Sequence, residues 1–476
     1  MNRNPLRVFD DVTQAIGLTP MIAIDRFMEA NGIKCKVYAK YEAMNPGQSV
    51  KDRIGLQMID LAEKSGKLKP GDTIVESTSG NTGLGLAMVA AVRGYKLVVT
   101  IPDKMSLEKI NTLRAFGAEV IICKTELPTS DPRSYKGIAK EYGSRPGHYW
   151  MNQYENDGNP LAHYNTTGAE LCDQMEDKLD YCFIGAGTGG TISGVGKRLK
   201  ERIPTCKLVG VDPVGSILAN PDDPNPVNKM YKAEGLGQGV VPKIMTRDIV
   251  DDWVKADDPE SFILAREIIK HEGMLIGGSC GTILAGLISY LKAHGLADNA
   301  SLKCAVILPD SAKNYMSKFM GDDWMIGNRF WGYESFIDED SYFGMKSVRE
   351  YRQFKPVPYY DKRLTIADCI DLFKKGFNVI PIRDSGRVIG VVDRKTLVHR
   401  VAMEGLDKTS SASNCIDKEF MLIDASAPMC VVQRMLEHRY SVLLGKDITD
   451  SNVGDLYVVT HDDLIELIEE DFKEYI

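Results

Sequence analysis

Residues 73–102 are TIVESTSGNTGLGLAMVAAVRGYKLVVTIP, and this stretch predicts a strand, a helix and a second strand in succession. The β-branched runs are Thr73–Glu76 and Leu97–Ile101, and Asn81–Arg93 between them has a helical pattern. Strand and helix in alternation predict a parallel sheet that is covered on both faces.

The same alternation runs from Pro20 to about Asp310. Further strands are predicted at Val120–Cys123, Cys182–Ile184, Leu208–Val211 and Ala305–Leu308. Further helices are predicted at Val50–Lys64, Leu107–Phe116 and Phe262–His271. We therefore predict an α/β fold, in which ligands lie at the carboxyl ends of the strands.

Length and composition limit the function. The 476 residues exceed what one compact core usually holds, so we expect two or three domains. A net charge of -8 disfavours a protein that coats nucleic acid or binds anionic membranes. The ten scattered cysteines, and the lack of an apolar leader or bilayer-length run, predict a soluble cytoplasmic protein with reduced thiols.

The pattern changes after Trp324, where Arg329–Arg352 is rich in aromatic and acidic residues without a clear period and predicts a linker. Beyond it lies a weak internal repeat of about 60 residues, which predicts two βαβ-like units. The matching segments are Phe377–Ile380 with Tyr440–Leu443, and Gly390–Val392 with Tyr457–Val459. Two unrelated βαβ stretches would also explain this similarity.

The motif Asn45–Arg53 places Lys51 where a Pro/Gly turn gives way to a helix. The positive end of a helix dipole favours the neutral, nucleophilic form of a lysine, which a Schiff-base lysine needs. A surface lysine in a first helical turn is the commoner explanation of this motif alone.

A second motif, Ser77–Gly83, follows a predicted strand and opens a helix. Its hydroxyls, glycines and backbone N–H groups suit a small anion such as a carboxylate, and Asn81 can also donate to an oxygen on a ring. A capped turn explains the same residues equally well.

A third motif, Gly185–Thr191, matches G-x-G-x-x-G, and Asp212 ends the next predicted strand as in a dinucleotide-binding fold. The hydroxyls of Thr188 and Thr191 favour a terminal phosphate with three free oxygens instead. The motif alone does not choose between NAD and a phosphate monoester, and a plain tight turn is a third explanation.

A fourth motif, Gly277–Gly281, opens another helix, and a capped turn explains it without further context. A pyridine ring at this place would face the neutral hydroxyl of Ser279, which leaves the ring nitrogen unprotonated and favours β-elimination over transamination. The four motifs together supply what a pyridoxal-phosphate (PLP) enzyme acting on an amino acid requires, whereas NAD binding explains only the third.

These motifs resemble the signature of the fold-type II PLP enzymes, which include cysteine synthases, cystathionine β-synthases and serine or threonine dehydratases. The resemblance spans roughly residues 8–325, and its motifs are Pro46–Arg53, Thr78–Thr82, Gly187–Thr191 and Gly278–Ser279. Other segments resemble the cystathionine β-synthases in particular, namely Asn152–Tyr154, Asn159–Tyr164, Leu308–Ser311, Asn314–Met316 and Gly321–Trp324. The tail resembles the paired regulatory domains (a Bateman module) of those enzymes.

The resemblance implies two open, twisted, mostly parallel sheets with flanking helices, followed by a tandem βαβ-type regulatory module. The implied boundaries are a catalytic domain at 1–327, a linker at 328–352 and a module at 353–476 with repeats at about 353–408 and 414–476. The implied reaction is that of a carbon–oxygen hydro-lyase, which condenses L-serine with L-homocysteine to L-cystathionine through an aminoacrylate, with hydrogen sulfide production as a side reaction. Cysteine synthesis from O-acetylserine and sulfide is the alternative.

The resemblance also implies roles for individual residues. Lys51 would form the internal aldimine and move the α-proton, Asn81 would contact the PLP 3′-oxygen, and Ser279 would contact the ring nitrogen. The phosphate would be held by Gly187, Thr188, Gly189, Gly190 and Thr191. The substrate carboxylate would be bound by Thr78, Ser79, Asn81, Thr82 and Gln153. The expected partners are amino-acid substrates and a second copy of the chain in a homodimer, with higher oligomers through the tail.

Three features depart from the animal enzymes of that family. The first cysteine is Cys35 and the first histidine is His148, so we expect no heme ligated by an N-terminal cysteine and histidine. Gln238 stands where those enzymes usually have a tyrosine. Only the second repeat has a Thr-x-x-Asp pattern, at Thr460 and Asp463. It predicts one site for an adenosyl ligand such as S-adenosylmethionine, and a structural pair that oligomerises or shields the active site explains it equally.

Overall fold

The computed structural model describes residues 8–473 except Ser79, Glu126, Thr129, 224–229, 352, 353, 355, 359, 385, 386, 418, 419 and 446–455. The chain divides between Met320 and Gly321 into two compact units. Within the described parts of the chain, every helix is too short or too polar to cross a membrane.

The first unit contains two sheets with helices packed on them. Its strands are β1 Met21–Ala23, β2 Lys36–Tyr41, β3 Thr73–Ser77, β4 Lys96–Pro102, β5 Glu119–Cys123, β6 His148–Trp150, β7 Tyr181–Gly185, β8 Lys207–Pro213, β9 Asp252–Ala256 and β10 Lys303–Leu308. Its helices are α1 Asp25–Ala30, α2 Lys51–Lys64, α3 Asn81–Arg93, α4 Leu107–Ala115, α5 Tyr135–Gly143, α6 Gly158–Ala162, α7 Gly168–Gln174, α8 Gly190–Arg202, α9 Asp258–Glu272 and α10 Gly278–Ala293.

The two sheets are mostly parallel, as the alternation of strand and helix predicts. One has the order β5-β4-β3-β6, with every pair parallel, and the other has the order β1-β2-β10-β7-β8-β9, in which only β1 runs antiparallel to its neighbour. Each sheet has its own apolar cluster, centred on residues such as Ile74 and Val99 in the smaller sheet and Leu208 and Ile307 in the larger. Ligands of such folds lie at the carboxyl ends of the strands, so each sheet has one edge at which a site can form.

Two glycines bring α2 and α3 into backbone contact. A Cβ on Gly85 would lie 2.6 Å from the carbonyl oxygen of Lys51, and a Cβ on Gly55 would lie 2.7 Å from the carbonyl carbon of Gly85. A methyl group at either position would force the helices apart, and overpacking of this kind costs about 1–3 kcal/mol. The contact holds the first turn of α2, and with it Lys51, against the first turns of α3.

The second unit repeats one topology twice. The first copy comprises β11 Tyr360–Asp361, α12 Ile366–Lys374, β12 Val379–Asp384, β13 Arg387–Asp393 and α13 Arg394–Glu404, and it follows α11 Asp322–Gly327. The second comprises β14 Met421–Ile423, α14 Met429–Leu436, β15 Ser441–Leu444, β16 Tyr457–Thr460 and α15 His461–Lys473. In both, the first two strands are parallel and the third is antiparallel. The tandem βαβ-type fold predicted for the tail is therefore present.

The predicted strands and helices of the first unit are confirmed, with ends that move by at most four residues. The largest shift is in α9, which begins at Asp258 because Asp257 caps it and Pro259 occupies its first turn. The segment expected as a linker, 328–352, is counted with the second unit, where the Met429 amide donates to the carbonyl of Lys346. The predicted domain boundaries themselves stay predictions.

Candidate active site

A cavity of about 290 Å³ lies in the first unit at the carboxyl ends of β3, β4, β7 and β10, as the fold class predicts. The amino-terminal turns of α2, α3, α8 and α10 reach it. The predicted site residues that line it are Lys51, Asn81, Thr82, Gln153, Gly187, Thr188, Gly189, Thr191 and Ser279. The cavity thus collects side chains or backbone from all four sequence motifs.

The other predicted site residues lie elsewhere. Thr78 is buried behind the cavity wall, where its hydroxyl accepts a hydrogen bond from the Gly80 amide at 3.0 Å. Gly190 is the first residue of α8 and does not itself line the cavity. Ser79 lies outside the described residues.

Lys51 is the first residue of α2, and its side chain is partly accessible from the cavity. Burial lowers the pKa of its ammonium to about 8, and the nearby Asp310 carboxylate opposes that change. The sequence argument expected a lowered pKa from the helix dipole, whereas desolvation is the largest cause. A lysine with this pKa carries a large neutral fraction at mildly alkaline pH.

Asn81 is held in one orientation by hydrogen bonds on both sides of its amide. Its Nδ2 donates to Asp310 Oδ2 at 2.7 Å, and its Oδ1 accepts from Asn314 Nδ2 at 3.4 Å. The Tyr315 hydroxyl donates to the same Asp310 oxygen at 2.5 Å, and Lys109 donates to the Tyr315 hydroxyl at 2.9 Å. One Nδ2 hydrogen of Asn81 therefore remains for a ligand in the cavity.

On the opposite side of α3, Thr82 and Gln153 form a second polar group. The Thr82 hydroxyl donates to Gln153 Oε1 at 2.6 Å, and Gln153 Nε2 donates to the Ser77 carbonyl at 3.0 Å. Behind them Glu76 is fully buried, and burial raises its pKa to about 8. A neutral Glu76 puts no negative charge behind the residues expected to bind a carboxylate.

The glycine loop between β7 and α8 leaves backbone N–H groups uncovered by side chains. Gly189 has a φ of 87°, which favours glycine, and a Cβ there would lie 2.5 Å from that of Met245. Asn159 Nδ2 donates to the Thr188 hydroxyl at 3.0 Å, and the Thr191 hydroxyl pairs with His163 Nε2 at 3.2 Å. A helix N-terminus with this lining is suited to a phosphate.

Ser279 lines the cavity from the first turn of α10. It is nearly fully buried, and the apolar side chains of Ile184, Ile283 and Ile307 line the cavity with it. A neutral hydroxyl beside these apolar side chains suits an aromatic ring.

Several lining residues had no place in the sequence argument, namely Lys104, Tyr135 and Tyr231. Gln238, which the sequence singled out, lines the same cavity, as does Tyr154, whose pKa burial raises well above its usual value. Neighbouring positions in the sequence give no signal for this group, because its members come from distant loops.

In the second unit, Thr460 and Asp463 bond to one another. The backbone N–H and the hydroxyl of Thr460 donate to Asp463 Oδ2 at 2.7 and 2.6 Å, which caps the start of α15. Asp393 accepts equivalent bonds from Thr396 at the start of α13, at 2.7 and 2.9 Å. The two repeats thus cap the corresponding helix with the same residue types in exchanged positions.

Comparison with known proteins identifies relatives over most of the chain. A sequence profile of the family "Pyridoxal-phosphate dependent enzyme" matches residues 12–310. The cystathionine beta-synthase of Dictyostelium discoideum is 39% identical over 449 residues, which cover 92% of this chain and 89% of that protein. The cystathionine beta-synthase of Saccharomyces cerevisiae is 39% identical over 415 residues, which cover 83% of this chain and 82% of that protein.

Two solved structures resemble the catalytic part. A hydrogen sulfide-producing enzyme from Fusobacterium nucleatum is 35% identical and has a TM-score of 0.60, covering 65% of this chain and 100% of that one. An O-ureido-L-serine synthase is 33% identical with a TM-score of 0.60, covering 66% of this chain and 95% of that one.

Proposed function

We propose that this chain condenses L-serine with L-homocysteine to L-cystathionine and water. The chain belongs to the pyridoxal-phosphate dependent enzymes and, among them, to the cystathionine beta-synthases. The observation that carries the proposal is the convergence of four sequence motifs, including the one that contains Lys51, on one cavity. When bound, PLP withdraws electrons from the substrate and so makes loss of its β-substituent feasible.

We propose that the glycine loop and the N-terminus of α8 hold the PLP phosphate. The backbone N–H groups of Gly187, Gly189 and Gly190, and the hydroxyls of Thr188 and Thr191, supply the donors. The His163 pKa is far below its usual value because the ring is buried, so the ring is neutral and positions the Thr191 hydroxyl without adding a charge to the site.

We assign the ring contacts to Ser279 and Asn81. The hydroxyl of Ser279 suits an unprotonated ring nitrogen, and Asn81 has an N–H left for the ring oxygen after its bond to Asp310. Lys51 would attach PLP and hold or release the proton at the substrate Cα. Its pKa of about 8 supports that role, because a base works best when its pKa is near the working pH.

We assign the substrate carboxylate to the turn that opens α3, through Thr78, Ser79, Asn81, Thr82 and Gln153. The Thr82–Gln153 pair and the neutral Glu76 behind it support this assignment. Thr78 would act by shaping the turn, since it is buried outside the cavity lining and its hydroxyl accepts a hydrogen bond from the Gly80 amide.

The test is product analysis of the purified PLP-loaded chain, with serine plus homocysteine in one reaction and O-acetylserine plus sulfide in the other. We expect cystathionine to be the main product. Cysteine from O-acetylserine as the main product would replace this proposal with cysteine synthesis, the alternative that the same cavity accommodates. The likeness to a hydrogen sulfide-producing enzyme supports a sulfide-releasing side activity with cysteine, which a sulfide electrode measures directly.

Regulation is a separate proposal. The Thr-x-x-Asp pattern supports an adenosyl ligand in the second unit, although Thr460 and Asp463 already cap α15. Equilibrium dialysis with S-adenosylmethionine tests it, and Thr460→Val should weaken any binding. No binding by the parent chain would assign the pair to helix capping alone.

We also propose a cytoplasmic homodimer that needs no heme. Sedimentation would check the dimer, and a metal assay of the active enzyme would check the independence from heme.

A further inference from the structure

Lys104 places an ammonium in the wall of the cavity without an anionic partner of its own. It follows β4, and its Nζ lies 5.5 Å from the centroid of the Tyr231 ring. Among the residues that the structure describes, none accepts a hydrogen bond or forms an ion pair with this ammonium. A partly buried cation in a ligand cavity suits an anionic group on the ligand.

The charges around Lys104 leave this wall positive. Glu234 is the nearby carboxylate in the wall, and both of its oxygens are engaged, by Lys109 at 2.8 Å and by Lys318 at 2.9 Å. Asp258 is a second carboxylate that attracts Lys104, and Lys232 is a further cation that repels it. With Lys109 and Lys318, four ammonium groups are therefore opposed by two carboxylates. Burial lowers the pKa of Lys104, and the attraction of Glu234 offsets this only in part. A bound carboxylate would offset the free-energy cost of burying this ammonium.

The proposed reaction joins two amino acids, so the cavity must accommodate two carboxylates. The turn that opens α3 is assigned to the first, through Thr82 and Gln153. Lys104 belongs to a different segment, after β4, and so offers a separate contact for the second. Sulfide carries no carboxylate, so it cannot place a negative charge against this cation while its sulfur reaches the reacting carbon.

We propose that Lys104 binds the carboxylate of the incoming thiol and so selects an amino-acid thiol over sulfide and over thiols without a carboxylate. This inference rests on the proposed condensation reaction. The ring of Tyr231 stabilises the ammonium by a cation–π contact. Lys104 is thus a specificity-determining residue for the second substrate.

The test uses the PLP-loaded full chain with Lys104→Met, which keeps an unbranched side chain one atom shorter and removes its charge. We expect the KM for L-homocysteine to rise roughly 10- to 100-fold, because a charge-assisted hydrogen bond contributes this much to binding. The kcat should change little, since the lost contact is made equally before and during the reaction. Lys104→Arg should keep most of the affinity for homocysteine.

Two comparisons separate recognition of the carboxylate from general damage. With 3-aminopropane-1-thiol, which is homocysteine without its carboxylate, the parent chain and Lys104→Met should have the same KM. Lys136→Met is the matched control, because Lys136 is also half-buried and lies 3.8 Å from the Tyr154 ring centroid but does not line the cavity. It should keep the parent KM for homocysteine. Binding of L-cystathionine, measured through the change in cofactor absorption, should weaken in Lys104→Met and stay unchanged in Lys136→Met.

The inference is overturned if Lys104→Met keeps the parent KM for homocysteine, or if its KM for 3-aminopropane-1-thiol rises by the same factor. Failure of the proposed function has a different appearance, since the parent chain would then form no cystathionine. That result would overturn both proposals. If the parent chain forms cystathionine and Lys104→Met keeps the parent KM for homocysteine, only this inference is overturned.

Discussion

Because Glu76 is buried, we expect the free energy of unfolding and the affinity for the substrate to fall at alkaline pH. Its side chain is fully buried at the end of β3, and Oε2 has no hydrogen-bond partner among the described residues. Burial raises its pKa from 4.5 to about 8. The folded chain therefore keeps a proton on Glu76 over a pH range in which the unfolded chain has released it.

The contribution of Glu76 to stability is consequently full below pH 4.5 and is lost as the pH rises toward about 8. Each pH unit between these values is worth about 1.4 kcal/mol, so the total loss is roughly 5 kcal/mol. Glu76→Gln keeps the shape of the side chain and its acceptor for the Gln153 amide, and it removes the titration. The variant should become more stable than the parent at alkaline pH.

The assay is denaturant unfolding of the parent and Glu76→Gln at about pH 5.5 and about pH 8. The loss of stability between the two pH values should be roughly 3 kcal/mol larger in the parent, because other titrating groups cancel in the comparison. In the same chains, the KM for serine should rise above pH 8 in the parent only, since an ionised Glu76 repels the substrate carboxylate.

Asp52→Asn is a matched control for this experiment. Asp52 is also buried, with a pKa raised to about 7, and it accepts a hydrogen bond from the Gly47 amide at 2.6 Å. It should change the pH dependence of stability without removing the rise in the serine KM. Equal losses of stability in the parent and Glu76→Gln would refute the argument that Glu76 is buried as a neutral acid.

Three other changes have defined outcomes. Lys51→Ala should abolish product formation and the visible absorption of the lysine–PLP adduct, and retention of that band would remove Lys51 from its proposed role. Asp310→Ala should destabilise the chain by roughly 2–4 kcal/mol, because Asn81 and Tyr315 lose a buried acceptor, and it should shift the cofactor spectrum, which Asp310→Asn restores in part. Gly189→Ala should weaken PLP binding, measured by equilibrium dialysis, because its φ of 87° and the nearby Met245 exclude a side chain; unchanged affinity would contradict the proposed phosphate loop.

Much of the catalytic fold was predictable because its signals are local. The runs Thr73–Glu76 and Leu97–Ile101 are continuous and β-branched, and both form strands in the all-parallel sheet. By contrast, β1 and β6 have three residues each and β9 has a mixed pattern, so periodicity gave no basis for predicting them. Their place in the sheets depends on pairing with strands that are distant in the sequence.

The candidate site was predictable to a similar extent. Lys51, the turn before α3, the glycine loop and Ser279 each follow a local rule about helix starts, and the structure brings them to one cavity. Asp310 is joined to Asn81 across 229 positions of the chain, and no local rule connects the two. Lys104 had no motif, and its importance follows only from the charges around it.

The sequence by itself determined the alternation of strands and helices in most of the catalytic fold, the turns that open four helices, and the chemistry of the residues in those turns. Only the tertiary structure decided which of these turns share a cavity and how their groups titrate. Lys51 and Glu76 both have a pKa of about 8 because many distant residues exclude water from them. Desolvation and charge pairing depend on what surrounds a residue in three dimensions, and neighbouring positions in the chain do not specify those surroundings.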